Sequence, residues 1–430
     1  MDERNGREVW TKAVDETGDF ALCGIGLPLN RVACRQLLQW APDIFPKLHM
    51  ARPFDICIRG AGITGRTLAL LLARERLRVA LVARPEPASI AQPDMTLDAS
   101  GHSDIRAYAL NAKSKQLLES LRCWPDVSAA TPVLSMQVYG DDQGEVNFKA
   151  KDTGAEALAW IVDVAPLQAQ LAQATQFQPL IETVDAPVPA TLTVVCEGSA
   201  SQSRDEFGVD FEVTPYGQRA IAARFEITQP HEQCARQWFA QGDILGVLPL
   251  FGNSVAIVWS VHEERAQLLM ALNAKDFAVA VQTACQGVFG DMVLQGARAA
   301  WPLQLAQATR WVGTYENKAW ALAGDAAHTV HPLSGQGLNL GLADVADLAG
   351  LLAKRDKRDY WRSVADTKLL RQYERSRKME AALLATATDG LQRLFAQSGS
   401  FWQNLRNQGM SGFDRSRLAK NWVTHQAMGA

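Results

Sequence analysis

Apolar and polar positions alternate along Phe54 to Arg59 (FDICIR), and an apolar run returns over Arg78 to Ala83, so two strands are expected there with a helix between them through about Glu75. Asp104 to Asn111 leads into a helix carrying Leu117, Leu118 and Leu121 that ends near Trp124-Pro125. Val133 to Tyr139 and Glu145 to Phe148, joined through the turn-rich Gly140-Asp141-Asp142-Gln143-Gly144, predict a hairpin. Asp163 to Ala174 has helical spacing, and the β-branched run Thr191 to Cys196 predicts a buried strand. Strand-like runs follow over Gly208 to Thr214, Arg219 to Ile227, Gln237 to Phe239, Ile244 to Pro249 and Ser254 to Val261. Lys318 to Ala323 reads as a short buried strand, and from about Gly337 the residues Leu338, Leu340, Leu342, Val345, Leu348, Leu351 and Leu352 mark a buried helix. A last amphipathic helix, Leu383 to Leu405, is expected to pack on its own protein. The pattern is that of an α/β chain whose two α/β stretches are separated by an inserted run of strands.

Two of these strands run into turns that carry chemistry. After the first comes Gly60-Ala61-Gly62-Ile63-Thr64-Gly65, a GxGxxG placed between a strand and a helix. Gly60 allows the tight turn, Gly62 lets backbone amides approach a pyrophosphate, and Gly65 permits close packing of helix on strand, with the phosphates at the helix amino end. The acid expected about 20 residues further on to bind the adenosine ribose is replaced by Ala83-Arg84, with Glu86 the nearest carboxylate. After the later strand, Gly324 and Asp325 open the stretch GDAAHTVHPLSGQGLNLGL, which has the character of a flavin floor. A carboxylate leaving a strand end accepts hydrogen bonds from sugar or ribityl hydroxyls. His331-Pro332 holds an extended segment, and Ser334, Gly335 and Gly337 leave the backbone bare for a flat ring. The amino end of the helix behind them would stabilise negative charge on a reduced flavin. The competing reading is an ordinary glycine-rich turn between a core strand and a core helix. Arg106 is a candidate phosphate ligand, or else a surface ion-pair partner. His331 could handle a proton near the ring or serve only to set up Pro332.

Composition narrows the classes. The chain has 430 residues, 47% hydrophobic and 21% charged, enough for a sizeable core and more than one domain. A formal net charge of -3 argues against a nucleic-acid-binding surface. Cys23, Cys34, Cys57, Cys123, Cys196, Cys234 and Cys285 show no CxxC or metal-ligand spacing, so free thiols in a reducing cytoplasm and no metal site are expected. No apolar run is long enough for a membrane span, and the first residues lack a signal-peptide pattern. Neither a Ser/His/Asp order nor HExxH is present, and His231 and His262 are expected to be solvated. Residues 1 to 49 carry no dinucleotide signal beyond short amphipathic pieces at Val32 to Trp40 and Ile44 to Leu48, and are expected to be dispensable for cofactor binding. Met50 stands just before Ala51-Arg52-Pro53-Phe54-Asp55, so the stretch is either a genuine extension or the result of a start assigned too far upstream.

Taken together, GAGITG at 60 to 65, SDIRAYALN at 103 to 111, EGSASQSR at 197 to 204 and GDAAHTVHPLSGQGLNLGL at 324 to 342 resemble the flavoprotein aromatic hydroxylases of the para-hydroxybenzoate hydroxylase fold class, and most of all the ubiquinone-biosynthesis hydroxylase family. The resemblance spans Pro53 to Arg377, in the family's order. It implies a discontinuous Rossmann-like FAD domain in parts 50–130, 156–204 and 301–380. A substrate hairpin at 131–155, a substrate sheet at 205–300 and a C-terminal helical region at 381–430 complete the expected division. Gly60, Gly62, Gly65 and Arg106 would hold FAD; Gly198, Ser201 and Arg204 match the family's DGxxSxxR motif near FAD and the nicotinamide donor. Gly324 and Asp325 would meet the ribityl chain, and Pro332, Gly335, Gly337 and Asn339 the isoalloxazine. The implied reaction is NAD(P)H- and oxygen-dependent hydroxylation of a phenol through a C4a-hydroperoxyflavin, with no strong side-chain acid or base required. A prenylated substrate would add a peripheral position at the inner face of the membrane, or association with a biosynthetic complex. Ala83 and Glu197, the latter in place of the motif's aspartate, are the two departures. They support a different reading, an interaction subunit that binds FAD poorly. A nicotinamide dehydrogenase built on the first glycine motif leaves the Gly324-Asp325 stretch unexplained, and a halogenase would need a WxWxIP that is absent.

Overall fold

The computed structural model describes residues 53–83, 105–140, 144–240, 242–329, 337–358 and 363–396. The first sheet opens with β1 (Phe54–Arg59), α1 (Ile63–Arg74) and β2 (Val79–Val82). β3 (Ala107–Leu110) and α2 (Ala112–Ser120) follow, then β4 (Ala130–Val133), the hairpin strands β5 (Ser135–Tyr139) and β6 (Glu145–Lys149), the single turn α3 (Ala150–Thr153), β7 (Ala159–Asp163) and α4 (Val164–Gln176). β8 (Ile181–Val184) and β9 (Ala190–Val195) return to the first sheet, and the short α5 (Gln202–Glu206) leads away from it. An insertion then runs through β10 (Phe211–Ile227), β11 (Cys234–Ala240), β12 (Asp243–Pro249), β13 (Ser254–His262), α6 (Glu263–Ala271), α7 (Ala274–Ala284) and β14 (Met292–Ala308). β15 (Val312–Tyr315), β16 (Lys318–Leu322), the two-residue β17 (His328–Thr329), α8 (Gly337–Arg358) and α9 (Thr367–Ala396) complete the described chain.

The six-stranded sheet has the order β15-β16-β9-β1-β2-β8, with β1 parallel to both β2 and β9. A central parallel strand is buried on both faces, and Ile56, Cys57 and Ile58 in the middle of β1 are all buried, beyond what the alternation alone implies. Ile56 and Ile58 enter the core shared with Leu68 and Leu72 of α1, Val345 and Leu348 of α8, and Leu370 and Tyr373 of α9, while Cys57 joins Ala80 and Val82 on the other face. Full burial of each large aliphatic side chain is worth roughly 1.5–3 kcal/mol. This core holds the carboxyl ends of β1, β9 and β16 in register, and the chemistry-bearing turns leave from those ends.

The eight-stranded sheet has the order β17-β14-β10-β13-β12-β11-β5-β6. Ile221, Phe225, Ile257 and Trp259 face α6 and α7, packing with Phe277 and Val281. The alternate residues point the other way: Ala222 and Ala299 meet Ile105, and Ala256 meets Val133 and Ile161 of the small β3-β7-β4 sheet. The expected runs Gly208–Thr214 and Arg219–Ile227 are one strand, β10. Its pairing with β14 slips between Pro215 and Arg219, where proline cannot donate to the ladder and Gly217 takes φ 67°. The break in the pattern is therefore a bulge. α6, α7 and β14 occupy a stretch for which the pattern predicted no element.

Candidate cofactor site

The glycine loop between β1 and α1 is required first by the protein's own backbone. Gly60 has φ 110°, and a Cβ there would lie 2.4 Å from the Cys196 carbonyl oxygen; a Cβ on Gly65 would lie 1.9 Å from the Gly60 oxygen. Gly62 differs, because a Cβ on it would meet nothing within 4 Å. Gly62 is the N-cap of α1, no side chain caps that end, and the first turn carries no acidic residue. The amide-rich, positively polarised end of a core helix is thus left open beside a bare glycine, an arrangement that fits a pyrophosphate.

The turn after β16 meets this loop directly. A Cβ on Gly341 would come within 3.1 Å of Thr64 Oγ1 and 3.3 Å of Gly324 Cα, and one on Gly324 within 3.3 Å of Thr64 Cγ2. Thr64 is therefore the wedge at which α1, the Gly324-Asp325 turn and the start of α8 converge. Asp325 is exposed, yet desolvation pushes its carboxyl above the usual range, with His328 opposing the shift, Asp344 reinforcing it and Arg106 opposing it. Solvent reaches the Asp325 side chain, so its carboxylate is open to a ligand. The same interactions put Arg106 within electrostatic reach of Asp325, so the two sequence candidates face one place. Ribityl hydroxyls would supply the donors that offset the desolvation.

The other two motifs are tied to this turn and to the start of α8. Arg204 donates to the Ser199 carbonyl (2.6 Å) and to the Ala326 carbonyl (3.1 Å) and lies over the Phe211 ring, so it locks the loop after β9 to the loop after β16. Gly198 takes φ 84° in that loop. Asn339 accepts from the Asn111 amide (3.0 Å) and Ser114 Oγ (2.7 Å) and donates to the Ala109 carbonyl (2.8 Å), joining α8 to the segment that carries Arg106. These contacts make Arg204 and Asn339 clamps on the site's walls. Glu197 accepts from Ser201 Oγ (2.8 Å), the Ser203 amide (3.0 Å) and Ser203 Oγ (2.8 Å), so the longer side chain is absorbed by its own turn at the start of α5. Arg224 of β10 donates to Asp163 (2.6 Å) and to the Ile105 carbonyl (3.1 Å), latching the inserted sheet to the end of β7 and to the segment before β3. The amide of Ala83 is bonded to the Val184 carbonyl. Arg84, Glu86, His331, Pro332, Ser334 and Gly335 lie outside the described residues, as do Cys23, Cys34 and the pieces at Val32 to Trp40 and Ile44 to Leu48; Gly337 begins α8.

His231 corrects an expectation. It is 7% exposed, Nδ1 accepts from the Gln233 amide (3.0 Å), and Nε2 contacts the Leu250 (2.8 Å) and Gly252 (2.9 Å) carbonyls. It braces the β12–β13 turn because its neighbours offer one donor and two acceptors, a demand no periodicity reveals; His262 is exposed as expected. Cys57, Cys123, Cys196, Cys234 and Cys285 are free thiols. Among the described residues no cluster suited to a metal ion occurs, and no helix is long and apolar enough to cross a membrane.

Beneath the Gly324-Asp325 turn lies a charged network that the sequence reading missed. Asp344 is 0% exposed, Arg377 1% and His328 4%. Asp344 Oδ1 accepts from Arg377 Nε (2.8 Å), and Oδ2 takes the Gly324 amide (2.9 Å) and His328 Nε2 (2.7 Å). Burial alone would raise the Asp344 carboxyl, but the charges and hydrogen bonds of His328 and Arg377 outweigh it and hold it below its ordinary value. A native carboxyl held below its unfolded value, about 3.9 for aspartate, contributes stability that is complete above that value and is lost as pH falls through the native one. Denaturant titrations of the wild type and Asp344→Asn are accordingly expected to differ most near neutral pH and to converge in acid; a pH-independent difference would contradict this.

An uncapped, glycine-headed helix end, an exposed carboxylate just beyond β16 of the same sheet and an inserted β-sheet are the features an FAD-binding fold would require. The family profile described as FAD binding domain matches residues 165–388, and the chain belongs to that family. The ubiquinone hydroxylase UbiL of Rhodospirillum rubrum is 28% identical over 397 residues, covering 87% of this chain and 89% of the relative. The 3-demethoxyubiquinol 3-hydroxylase of Escherichia coli is 26% identical over 402 residues, covering 88% and 99%. In three dimensions the chain is similar to PqsL, a probable FAD-dependent monooxygenase from Pseudomonas aeruginosa, with a TM-score of 0.65 at 20% identity over 84% of this chain and 99% of that one. At that identity the likeness establishes the fold.

Proposed function

We propose that this flavoprotein hydroxylates a phenolic ring, using NAD(P)H and O2, and that its substrate is a prenylated phenol of the kind the ubiquinone hydroxylases act on. The observation that carries the reading is that the turn after β16 and the start of α8 together touch the other three sequence motifs, through Gly324 and Gly341 beside Thr64, Ala326 on Arg204 and Asn339 on Ala109. Bound FAD supplies the hydride acceptance and oxygen activation. The chain's part is to bind, orient and exclude water. The α1 amino end at Gly62 takes the pyrophosphate, Asp325 accepts from the ribityl chain, and Arg106 contributes positive charge beside it. The start of α8 at Gly337 favours negative charge on the ring, and Pro332 and Gly335 would complete its floor.

Within this reading residues 50–130, 156–204 and 301–380 hold the cofactor, and 131–155 with 205–300 cover the substrate. Ala222 and Ala299 on one face of the eight-stranded sheet pack with Ile105 of the segment before β3, an apolar contact between that sheet and the segment carrying Arg106. A prenyl tail would draw the protein to a membrane surface or into a complex that handles such lipids. Supplied with FAD, NAD(P)H and isotopically labelled dioxygen, the full chain should place a labelled hydroxyl on a member of a phenol panel that includes prenylated phenols. Nicotinamide oxidation that gives only hydrogen peroxide with every phenol would count against it.

A further inference from the structure

The Asp344 carboxylate does more than neutralise a buried arginine. Arg377 already has acidic partners in Glu380 and in Asp347 (3.4 Å). An apolar pair of similar size would pack α8 on α9 without the desolvation that a buried ion pair brings. What an apolar pair could not do is use a second oxygen as Asp344 Oδ2 does, gripping the Gly324 amide and His328 Nε2 together. Gly324 and His328 lie on either side of Asp325, so one oxygen holds both ends of the turn that presents the exposed Asp325 carboxylate. Other bonds hold the turn as well: Ala327 donates to the Gly324 carbonyl (2.8 Å) and accepts from the Ala308 amide (2.8 Å), the Ala326 carbonyl accepts from Arg204 (3.1 Å), and Gly324 sits at φ 63°, but none of these bonds ties Gly324 to His328. His328 is fixed in turn by stacking on Trp311 with ring centroids 4.8 Å apart, and the Tyr373 hydroxyl donates to the Leu322 carbonyl (2.8 Å) just upstream.

We propose that Asp344 is a positioning residue for the cofactor, acting through Asp325 by clamping Gly324 and His328 from below, with Arg377 anchoring the clamp to α9. The proposal rests on the reading in which Asp325 meets the ribityl chain. It predicts coupling, not merely loss. FAD would be titrated into flavin-free full-length wild type, Asp344→Asn, Asp325→Ala and the double variant, with the melting temperature of each flavin-free chain measured alongside. Asp344→Asn presents an amide where the carboxylate received two donors, and should weaken FAD about tenfold in the wild-type background but within about twofold once Asp325 is gone. A second pair of variants probes the same bond more gently. His328→Gln keeps a nitrogen donor and should retain most of the affinity, whereas His328→Leu should lose it, again only while Asp325 is present. This pair decides the matter if Asp344→Asn is insoluble. Losses that persist undiminished in the Asp325→Ala background, or equal losses for His328→Gln and His328→Leu, would overturn the coupling while leaving the ribityl role of Asp325 standing. An Asp325→Ala chain with wild-type FAD affinity would remove that role, and the proposal with it.

Discussion

Gly62→Ala is expected to leave the flavin-free chain folded with an unchanged melting temperature and to weaken FAD binding by about tenfold or more, close to 1.4 kcal/mol at the lower bound. Gly65→Ala, three residues later, is expected to damage the fold itself. The difference follows from where each new methyl group would go. At Gly62 it enters open space at the α1 amino end, and the backbone there, φ -73° and ψ -173°, suits alanine. At Gly65 it would stand 1.9 Å from the Gly60 carbonyl oxygen, so α1 must move off β1. Overpacking of that severity, against backbone that cannot swing aside, costs about 3 kcal/mol or more. Thermal melting of both flavin-free variants with FAD titrations separates the two roles. A Gly62→Ala chain that binds FAD like the wild type would mean that the pyrophosphate does not approach this glycine.

Asp325→Ala is expected to weaken FAD by roughly 1.5–3 kcal/mol, the range for a hydrogen bond to a charged group. In the flavin-free chain it should not destabilise and should slightly stabilise at neutral pH. The sign follows from the carboxyl's direction of shift: desolvation raises it, so the ionised form is held at a disadvantage in the folded chain, and alanine relieves that disadvantage. A residue that is unfavourable to the empty fold and favourable to the complex is what a ligand contact looks like energetically. The check is a calorimetric FAD titration together with denaturant melts of the flavin-free protein. Loss of stability without loss of affinity would reverse the assignment.

The sheet cores were legible in the sequence because the buried Ile56, Cys57 and Ile58 of β1 and Leu192, Val194 and Val195 of β9 are apolar, and because Gly65 answers to a backbone contact within its own strand–turn–helix, whereas the contact that requires Gly60 is with the distant Cys196 carbonyl. β10 was read as two runs because Pro215 and Gly217 mark a bulge and a turn with the same residues. Asp344 and Arg377 went unread for a different reason. Each is a lone charge on an otherwise apolar helical stripe, Arg377 falling in line with Leu370, Tyr373 and Ala381, all buried. That position is itself a signal, since a charge so placed must have a partner. Which partner it has depends on how α8 and α9 cross, which spacing along either helix does not specify. The use of Glu197 by Ser201 and Ser203, and of His231 by the Leu250 and Gly252 carbonyls, is likewise decided by turn geometry.

The central claim is that Gly62 at the head of α1 and Asp325 at the end of β16 hold one FAD. Its most direct test is an FAD titration of the full-length chain stripped of flavin, followed by visible absorption and melting temperature. A bound-flavin spectrum that saturates at one FAD per chain is expected, with a melting temperature that rises with FAD concentration. A free-flavin spectrum and an unmoved melting temperature at saturating FAD would contradict it.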